Sequence, residues 1–374
     1  MSDVILSLSH VDKFFGNPSV GVHAVQDFSM DVKRGEIIAL LGSSGCGKTS
    51  TLRMIAGFES VSRGAIELNG RAIHTLPPAQ RGVAMAFEGY ALYPPLTVRD
   101  NIGFALRSAG TRDVAEQVTA VAKMLNIQDI LDRYPSSISS GQQQRVSLAR
   151  ALIRKADLHL LDEPMGQLEP QLRTLLRGRI KHFMKAQGLS TILVTHDQTE
   201  AIALADRIAV MEGGILQQYD TAENIKNYPT NLFTGTFIGE PPMNVFNAAM
   251  RAHENRLQFH LNTETMLDYP ANVFSDEVQS ILRNVEQVII GVRPYIVTRT
   301  QGQGLPVRVE TNQWIGDQSL IITRLAEQTL VMIEHKQSTL RAGETITIEL
   351  DPDHIHIFDA QNGKALVHGR EHTS

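Results

Sequence analysis

The sequence predicts an α/β domain built on a largely parallel sheet, followed by a smaller all-β domain. Three observations predict this. Up to about Gly235, short apolar runs alternate with segments of helical apolar spacing. Beyond that point the apolar runs are brief, often alternate with polar residues, and are punctuated by Gly, Pro, Asn and Asp. A chain of 374 residues is also too long for one ordinary compact domain and suits two.

Val4 to Val11 and His23 to Val32 follow each other with no helix between them, which predicts a small antiparallel subdomain at one edge. Ile37 to Leu41, Val83 to Phe87, Leu158 to Leu161, Thr191 to Thr195 and Ile208 to Met211 are each short enough for a buried strand. Val114, Val118, Val121, Ala122 and Leu125 fall at helical spacing. So do Leu172, Leu175, Leu176, Ile180, Phe183 and Met184 behind Pro170, a good helix-entry residue. The mostly helical stretch from Ala84 to about Ser139 predicts a helical lobe, placed at about 88–150. The first domain is expected over 1–235 and the second over 240–374, with the boundary near Gly239 to Pro242. Alternation in Thr345-Ile346-Thr347-Ile348-Glu349-Leu350 and His354-Ile355-His356-Ile357 predicts a small barrel for the second domain.

Composition narrows the function. A formal charge of −5 argues against a nucleic-acid partner. A single cysteine, Cys46, excludes an intrachain disulfide and fits a reducing compartment. Met1 to His10 lacks a basic segment followed by an apolar core, so no signal peptide is expected, and no apolar run approaches the roughly 20 residues needed to span a bilayer. Any pore must then be carried by other chains.

The strongest chemical signal is Gly42-Ser43-Ser44-Gly45-Cys46-Gly47-Lys48-Thr49, which matches G-x-x-x-x-G-K-[ST] between a predicted strand and the helical stretch Thr49 to Ala56. Its glycines let consecutive N–H groups turn inward on an anion, and the helix start, including Ser50, adds unpaired donors and a positive dipole end. Lys48 is expected on the β- and γ-phosphates and the Thr49 hydroxyl on Mg²⁺, which makes this a nucleotide site. Asp162-Glu163 follows the run Leu158 to Leu161; the Asp is placed to hold Mg²⁺ and Glu163 to accept a proton from an attacking water. Taken singly, such a pair is an ordinary turn, Ser139-Ser140-Gly141-Gln142 is an ordinary helix cap and His196 is a solvated loop histidine. Position changes this. Gly42, Glu88, Asp162, Glu163 and His196 all follow apolar strands, and ligands of open α/β sheets bind at the carboxyl ends of strands.

In this order of motifs the chain resembles the ABC-transporter ATPases. The phosphate loop Gly42–Thr49, a signature Ile138-Ser139-Ser140-Gly141-Gln142, the Asp162-Glu163 pair and Thr195-His196-Asp197 carry the resemblance. It implies a P-loop NTPase sheet with a helical lobe, ATP and Mg²⁺ as ligands, and two head-to-tail subunits, same or paralogous. Ser139, Gly141 and Gln142 are then expected to serve the partner's nucleotide, Phe15 to stack on adenine, and His196 to position the γ-phosphate. Tyr90 to Pro94, Thr97 to Ile102, Gly291-Val292-Arg293-Pro294 and His356 to Asp359 resemble the carbohydrate and glycerol-phosphate importers. That subgroup implies an OB-like regulatory barrel, permease partners at the cytoplasmic face of the membrane, and indirectly an extracytoplasmic solute-binding protein. A weakly hydrolysing regulatory subunit and a non-transport ABC ATPase are the alternatives.

Three positions depart from the family pattern: Glu88 stands where Gln is usual, Ser140 in the signature where Gly is, and Glu169 where Asp is. Glu88 puts a full charge near the γ-phosphate, a repulsion of about 4 kcal/mol at ~4 Å and an effective dielectric of ~20 unless it ligates Mg²⁺. Glu88 is therefore expected to act both as a catalytic and as a metal-binding residue, and the three departures point equally to pairing with a paralogous subunit or to neutral drift. Cys46, at a helix N-terminus, is expected to have a lowered thiol pKa, so that alkylation inhibits and MgATP protects; the other reading, and the weightier one for function, is a small buried filler with no catalytic part. His354 and His356 are expected to share a solvated strand face.

Overall fold

The computed structural model describes residues 3–16, 21–302 and 304–369. It contains two compact units, Met1–Ala222 and Glu223–Ser374.

In chain order the first unit runs β1 (Val4–Phe15), β2 (Val22–Lys33), β3 (Ile37–Gly42), α1 (Lys48–Ala56), β4 (Arg63–Leu68), β5 (Arg71–Ala72), β6 (Val83–Ala86) and then α2 (Val98–Ser108). It continues through α3 (Val114–Met124), α4 (Ser140–Leu152), β7 (Leu158–Asp162), α5 (Pro170–Ala186), β8 (Thr191–Thr195), α6 (Gln198–Leu204), β9 (Arg207–Glu212) and β10 (Ile215–Asp220). The central sheet has the order β10-β9-β3-β8-β7-β6. Every pair from β9 to β6 is parallel, and β10 joins β9 antiparallel. All six residues of β3 and all five of β7 and β8 are buried, as expected for strands covered on both faces. The expected edge subdomain is a four-stranded antiparallel sheet, β2-β1-β4-β5. Its long strands alternate buried and exposed residues, so it has one face on the core and one in water.

The helical lobe is α2, α3 and α4. Thr97 caps α2 by accepting from the Asp100 N–H. The Asn101 amide donates to the carbonyls of Tyr93, Leu96 and Thr97, which fixes the loop that leads into the lobe. The predicted apolar stripe of α5 buries Leu176, Ile180 and Met184 but leaves Leu175 exposed.

The second unit begins with two short helices, α7 (Ala222–Asn227, whose first residue closes the first unit) and α8 (Leu232–Phe237). Then come β11 (Asn244–His253), β12 (Arg256–His260), β13 (Met266–Pro270), α9 (Asp276–Arg283), β14 (Gln287–Val292) and β15 (Thr298–Arg299). It ends with β16 (Leu305–Trp314), β17 (Ser319–Leu325), β18 (Gln328–Glu334), β19 (Thr345–Glu349), β20 (Ile355–Asp359) and β21 (Ala365–His368). Two antiparallel sheets, β13-β12-β11-β14-β20-β21 and β15-β19-β16-β17-β18, share one apolar core that includes Phe246, Phe259, Ile290, Ile321 and Ile357. The expected all-β domain is present, with α9 added.

The division falls earlier than the expected 235–240 because α7 and α8 pack with the strands of the second unit. Arg293, buried at the end of β14, donates to the carbonyls of Lys226 (3.0 Å), Gly235 (2.8 Å) and Ile238. Gly235 lies so close to Phe358 that a Cβ there would stand 3.1 Å from its ring. The histidine expectation is corrected too. His354 closes a 3-10 turn, Pro352–His354, while His356 is buried on β20 with Nδ1 3.2 Å from Nδ1 of His368. Burial, then His368, Arg293 and His354, push the His356 pKa down to about 3.

Candidate functional site

Four strand ends converge on one cleft of about 370 Å³. The phosphate loop follows β3, Glu88 follows β6, Asp162 ends β7 with Glu163 directly after it, and His196 follows β8. The cleft wall includes Ser44, Gly45, Lys48, Thr49, Glu88, Glu163 and His196. Gly42, Ser43, Cys46 and Gly47 of the same loop, Ser50 in α1 and Asp162 at the end of β7 are not part of that wall.

The loop needs glycine at two positions. A Cβ on Gly42 would lie 2.2 Å from the Met211 carbonyl oxygen, so the turn leaves the sheet flush against β9. Gly47 has φ +103° and a Cβ there would stand 2.5 Å from the Ala24 carbonyl oxygen. Gly47 is also the N-cap of α1 and offers no side-chain acceptor, so the first-turn N–H groups stay available to an anion. Lys48, only 7% exposed, donates to the carbonyls of Gly42 and Ser43 at 2.8 Å each. Ser43 Oγ donates to Glu212 Oε2 at 2.7 Å, which braces the loop against the end of β9.

Cys46 does not have the lowered pKa expected of a helix N-terminus. It is buried, and loss of water raises its pKa by more than the Lys48 ammonium lowers it. The thiol fills space beneath the loop.

Opposite the loop stand the carboxylates. Asp162 is 4% exposed, and its Oδ1 has no partner; Glu163 Oε2 is likewise buried without one. Burial first, then the charges of Glu88 and Glu163, push the Asp162 pKa up to about 6, against the opposing pull of Arg53 and a hydrogen bond from Thr49. Unpartnered carboxylate oxygens beside a threonine hydroxyl and a phosphate loop fit Mg²⁺, a hard cation that takes few protein oxygens and completes its shell with phosphate and water. Among the described residues no cluster of three or more His, Cys, Asp or Glu that could hold a metal by itself occurs.

Glu163 adopts φ +47°, a costly conformation for a side-chain-bearing residue. It is held there by its N–H on the Val194 carbonyl (3.0 Å) and by its own carbonyl accepting from Gln144 Nε2 (2.7 Å). The result aims Glu163 Oε1 at His196 Nδ1, 3.0 Å away, with the imidazole otherwise exposed. A carboxylate at the cleft wall, oriented by a histidine, can take a proton from a water bound in the cleft.

Sequence reasoning does not find Gln144. It is 4% exposed, and its Oε1 accepts from the Gln167 N–H at 3.0 Å, so it clips Glu163 and Gln167 to α4. Its place in Gln142-Gln143-Gln144 is visible, but nothing in the order of residues says which glutamine faces inward. Ser139 and Gln142 form a capping box: Ser139 Oγ accepts from Gln142 N, and Gln142 Oε1 accepts from Ser139 N at 2.9 Å. With Gly141 they lie outside the cleft wall of their own chain. Phe15, 40% exposed, ends β1 with the Lys13 ammonium 4.7 Å from its ring centre, and it too lies outside that wall.

A family model described as ABC transporter matches residues 25–166, and one described as TOBE domain matches residues 286–358. The trehalose/maltose import ATP-binding protein MalK of Thermococcus litoralis is 39% identical over 96% of this chain and 98% of its own. The trehalose import ATP-binding protein SugC of Mycobacterium tuberculosis is 36% identical over 98% and 99%. The sulfoquinovosyl glycerol transport ATP-binding protein SmoE of Agrobacterium fabrum is 36% identical over 96% and 99%. In fold, a solved dimeric ATP-binding cassette bound to ADP and phosphate is similar at a TM-score of 0.54 and 23% identity, over 58% of this chain and 98% of that one.

Proposed function

The chain belongs to the ABC transporter family as one of its ATP-hydrolysing subunits, and we propose that it drives import of a carbohydrate or polyol, with glycerol phosphate as a further candidate. Full-length similarity to subunits named for trehalose, maltose and sulfoquinovosyl glycerol supports the solute class. No helix among the described residues is long and apolar enough to cross a membrane; the transmembrane path is assigned to permease subunits, as the similarity to import ATP-binding subunits supports. The subunit is placed at the cytoplasmic face of the membrane, with a second ATPase subunit, same or paralogous, and indirectly an extracytoplasmic solute-binding protein. The permease is taken to contact the Glu88–Pro95 region.

The observation that carries the reading is the 3.0 Å pairing of Glu163 with His196 in the cleft that the phosphate loop also lines. In the proposed reaction, the loop N–H groups and Lys48 bind the phosphates, and Glu163 orients and deprotonates water for in-line attack on the γ-phosphorus. His196 holds Glu163 and the γ-phosphate in register. Thr49 and Asp162, with Glu88 beside them, would hold Mg²⁺, which would supply charge neutralisation on the phosphates when bound. Phe15 is assigned to the adenine, and Ser139, Gly141 and Gln142 to the nucleotide of the second subunit.

Glu163→Gln tests this. The variant keeps the shape of the residue and removes the base, so it should bind ATP as wild type does and hydrolyse it about 10²- to 10⁴-fold more slowly. Hydrolysis at the wild-type rate would remove Glu163 from the mechanism.

A further inference from the structure

We propose that Arg173 is a positioning residue for hydrolysis, locking the loop that follows Glu163 to the turn that carries His196. The inference rests on the ATPase reading of the cleft. Arg173 lies in the first turns of α5 and its guanidinium reaches two separate loops at once. Nη1 donates to Asp197 Oδ2 at 3.0 Å, while Nη2 donates to the carbonyls of Leu168 at 3.2 Å and Gly166 at 3.4 Å.

Both ends of this bridge are fixed. Asp197 Oδ1 accepts from the Glu200 N–H at 2.9 Å, and the Asp197 N–H donates to Thr195 Oγ1 at 3.1 Å. Thr195 Oγ1 in turn donates to Glu200 Oε2 at 2.8 Å. On the other side Gly166 and Gln167 line the cleft, Leu168 is 5% exposed, and Gln144 ties Gln167 back to Glu163. The contacts close into a ring from Glu163 through His196, Asp197, Arg173, the 166–168 loop and Gln144 to Glu163 again. Arg177 Nη2 also reaches Asp197 Oδ2, at 3.4 Å, but Arg173 alone joins Asp197 to the 166–168 loop in this ring, so it is the link by which that loop's position is passed to Asp197 and the adjacent His196.

An ordinary surface ion pair would contribute little. This one is different in burial and shape: the two side chains are 25% and 19% exposed, and a planar fork spans a carboxylate and two carbonyls. Burial works to raise the Asp197 pKa, but the Glu200 N–H, Arg177 and Arg173 together outweigh it, so the carboxylate stays charged.

The test is a double-mutant cycle on the purified full chain, with Arg173→Gln, His196→Ala and the pair, reading nucleotide affinity with a fluorescent ATP analogue, and kcat and KM for ATP separately. Arg173→Gln should leave nucleotide affinity within about threefold and lower kcat by about tenfold to a hundredfold, the cost of misplacing a catalytic group by a fraction of an ångström to an ångström. In the His196→Ala background the same change should cost less than about twofold, because the group it positions is gone. Arg173→Lys, which keeps the charge but not the fork, should recover only part of kcat. Asp197→Asn, which keeps the side-chain shape, should repeat the non-additive loss and carries the test if Arg173→Gln does not fold. Equal losses of kcat in both backgrounds, or wild-type kcat in Arg173→Gln, would overturn the proposal. Failure of the wild type to bind nucleotide would instead overturn the ATPase reading, and this inference with it.

Discussion

Replacing Glu200 by Gln removes one proton-binding site behind the His196 turn and changes almost nothing in shape. Glu200 is 2% exposed, accepts from Thr195 Oγ1 on one oxygen and has no partner on the other. Burial is the main reason its pKa rises from 4.5 to about 7, with Asp197 and Glu163 adding to it. That rise corresponds to about 3 kcal/mol of differential stability between the two protonation states. At pH 4.5 and below, folded and unfolded chains both hold the proton. Between 4.5 and 7 the folded chain retains a proton the unfolded chain has lost, so stability falls as pH rises; above 7 the loss is complete. The amide of Gln is neutral throughout, and burying its unpaired N–H group costs about 1 kcal/mol. Glu200→Gln should therefore be more stable than wild type by about 1–3 kcal/mol at pH 8, with the advantage gone by pH 4.5. Urea unfolding of nucleotide-free and cation-free protein at half-unit pH steps measures the difference curve. A flat difference between pH 4.5 and 8, or a variant weaker than wild type at pH 8, would refute the reasoning.

The same geometry sets three further outcomes. Cys46 should resist iodoacetamide in the native chain at pH 7.5 and react at once in urea, with little added protection by nucleotide, since burial keeps the thiol protonated; rapid native labelling would contradict this. His356→Leu should hold the 223–374 unit together at lower pH. His356 is neutral when folded and protonates on unfolding, so wild type loses stability as pH falls below the unfolded value of 6.5, and a circular-dichroism acid titration should show the variant's midpoint shifted down. Glu88→Gln should bind ATP about tenfold more tightly than wild type when divalent cations are chelated, and the gap should shrink when they are restored, because the lost charge faces the phosphates only when nothing neutralises it. Equilibrium binding with and without EDTA decides it.

The parts of the site that are legible in the sequence sit where one local rule suffices. A glycine-rich turn between an apolar strand and a helix, and acids placed directly after apolar runs, report their own position because parallel strands end on a common edge. Gln144 and Arg173 have no such signal. Each works by joining loops that are distant along the chain, and their neighbours in sequence look like ordinary helix surface. Cys46 misleads for a related reason: its helix-terminus position is visible in the sequence, but its burial against the sheet is not. The domain division moves because α7 and α8 are short and carry too few apolar residues to show whether they pack forward or back. Their attachment to the second unit depends on Arg293, more than fifty residues downstream of either helix.

Strand β3 is buried along its whole length between two parallel neighbours, and Gly42 is jammed against the Met211 carbonyl at its tip. The floor under the phosphates is therefore a fixed anvil. Amide hydrogens from Ile38 to Leu41 should exchange with solvent among the slowest in the first unit, whether or not nucleotide is present. Any stroke that ATP produces must then be delivered by the opposite walls, where Glu88 and His196 project from loops at the surface.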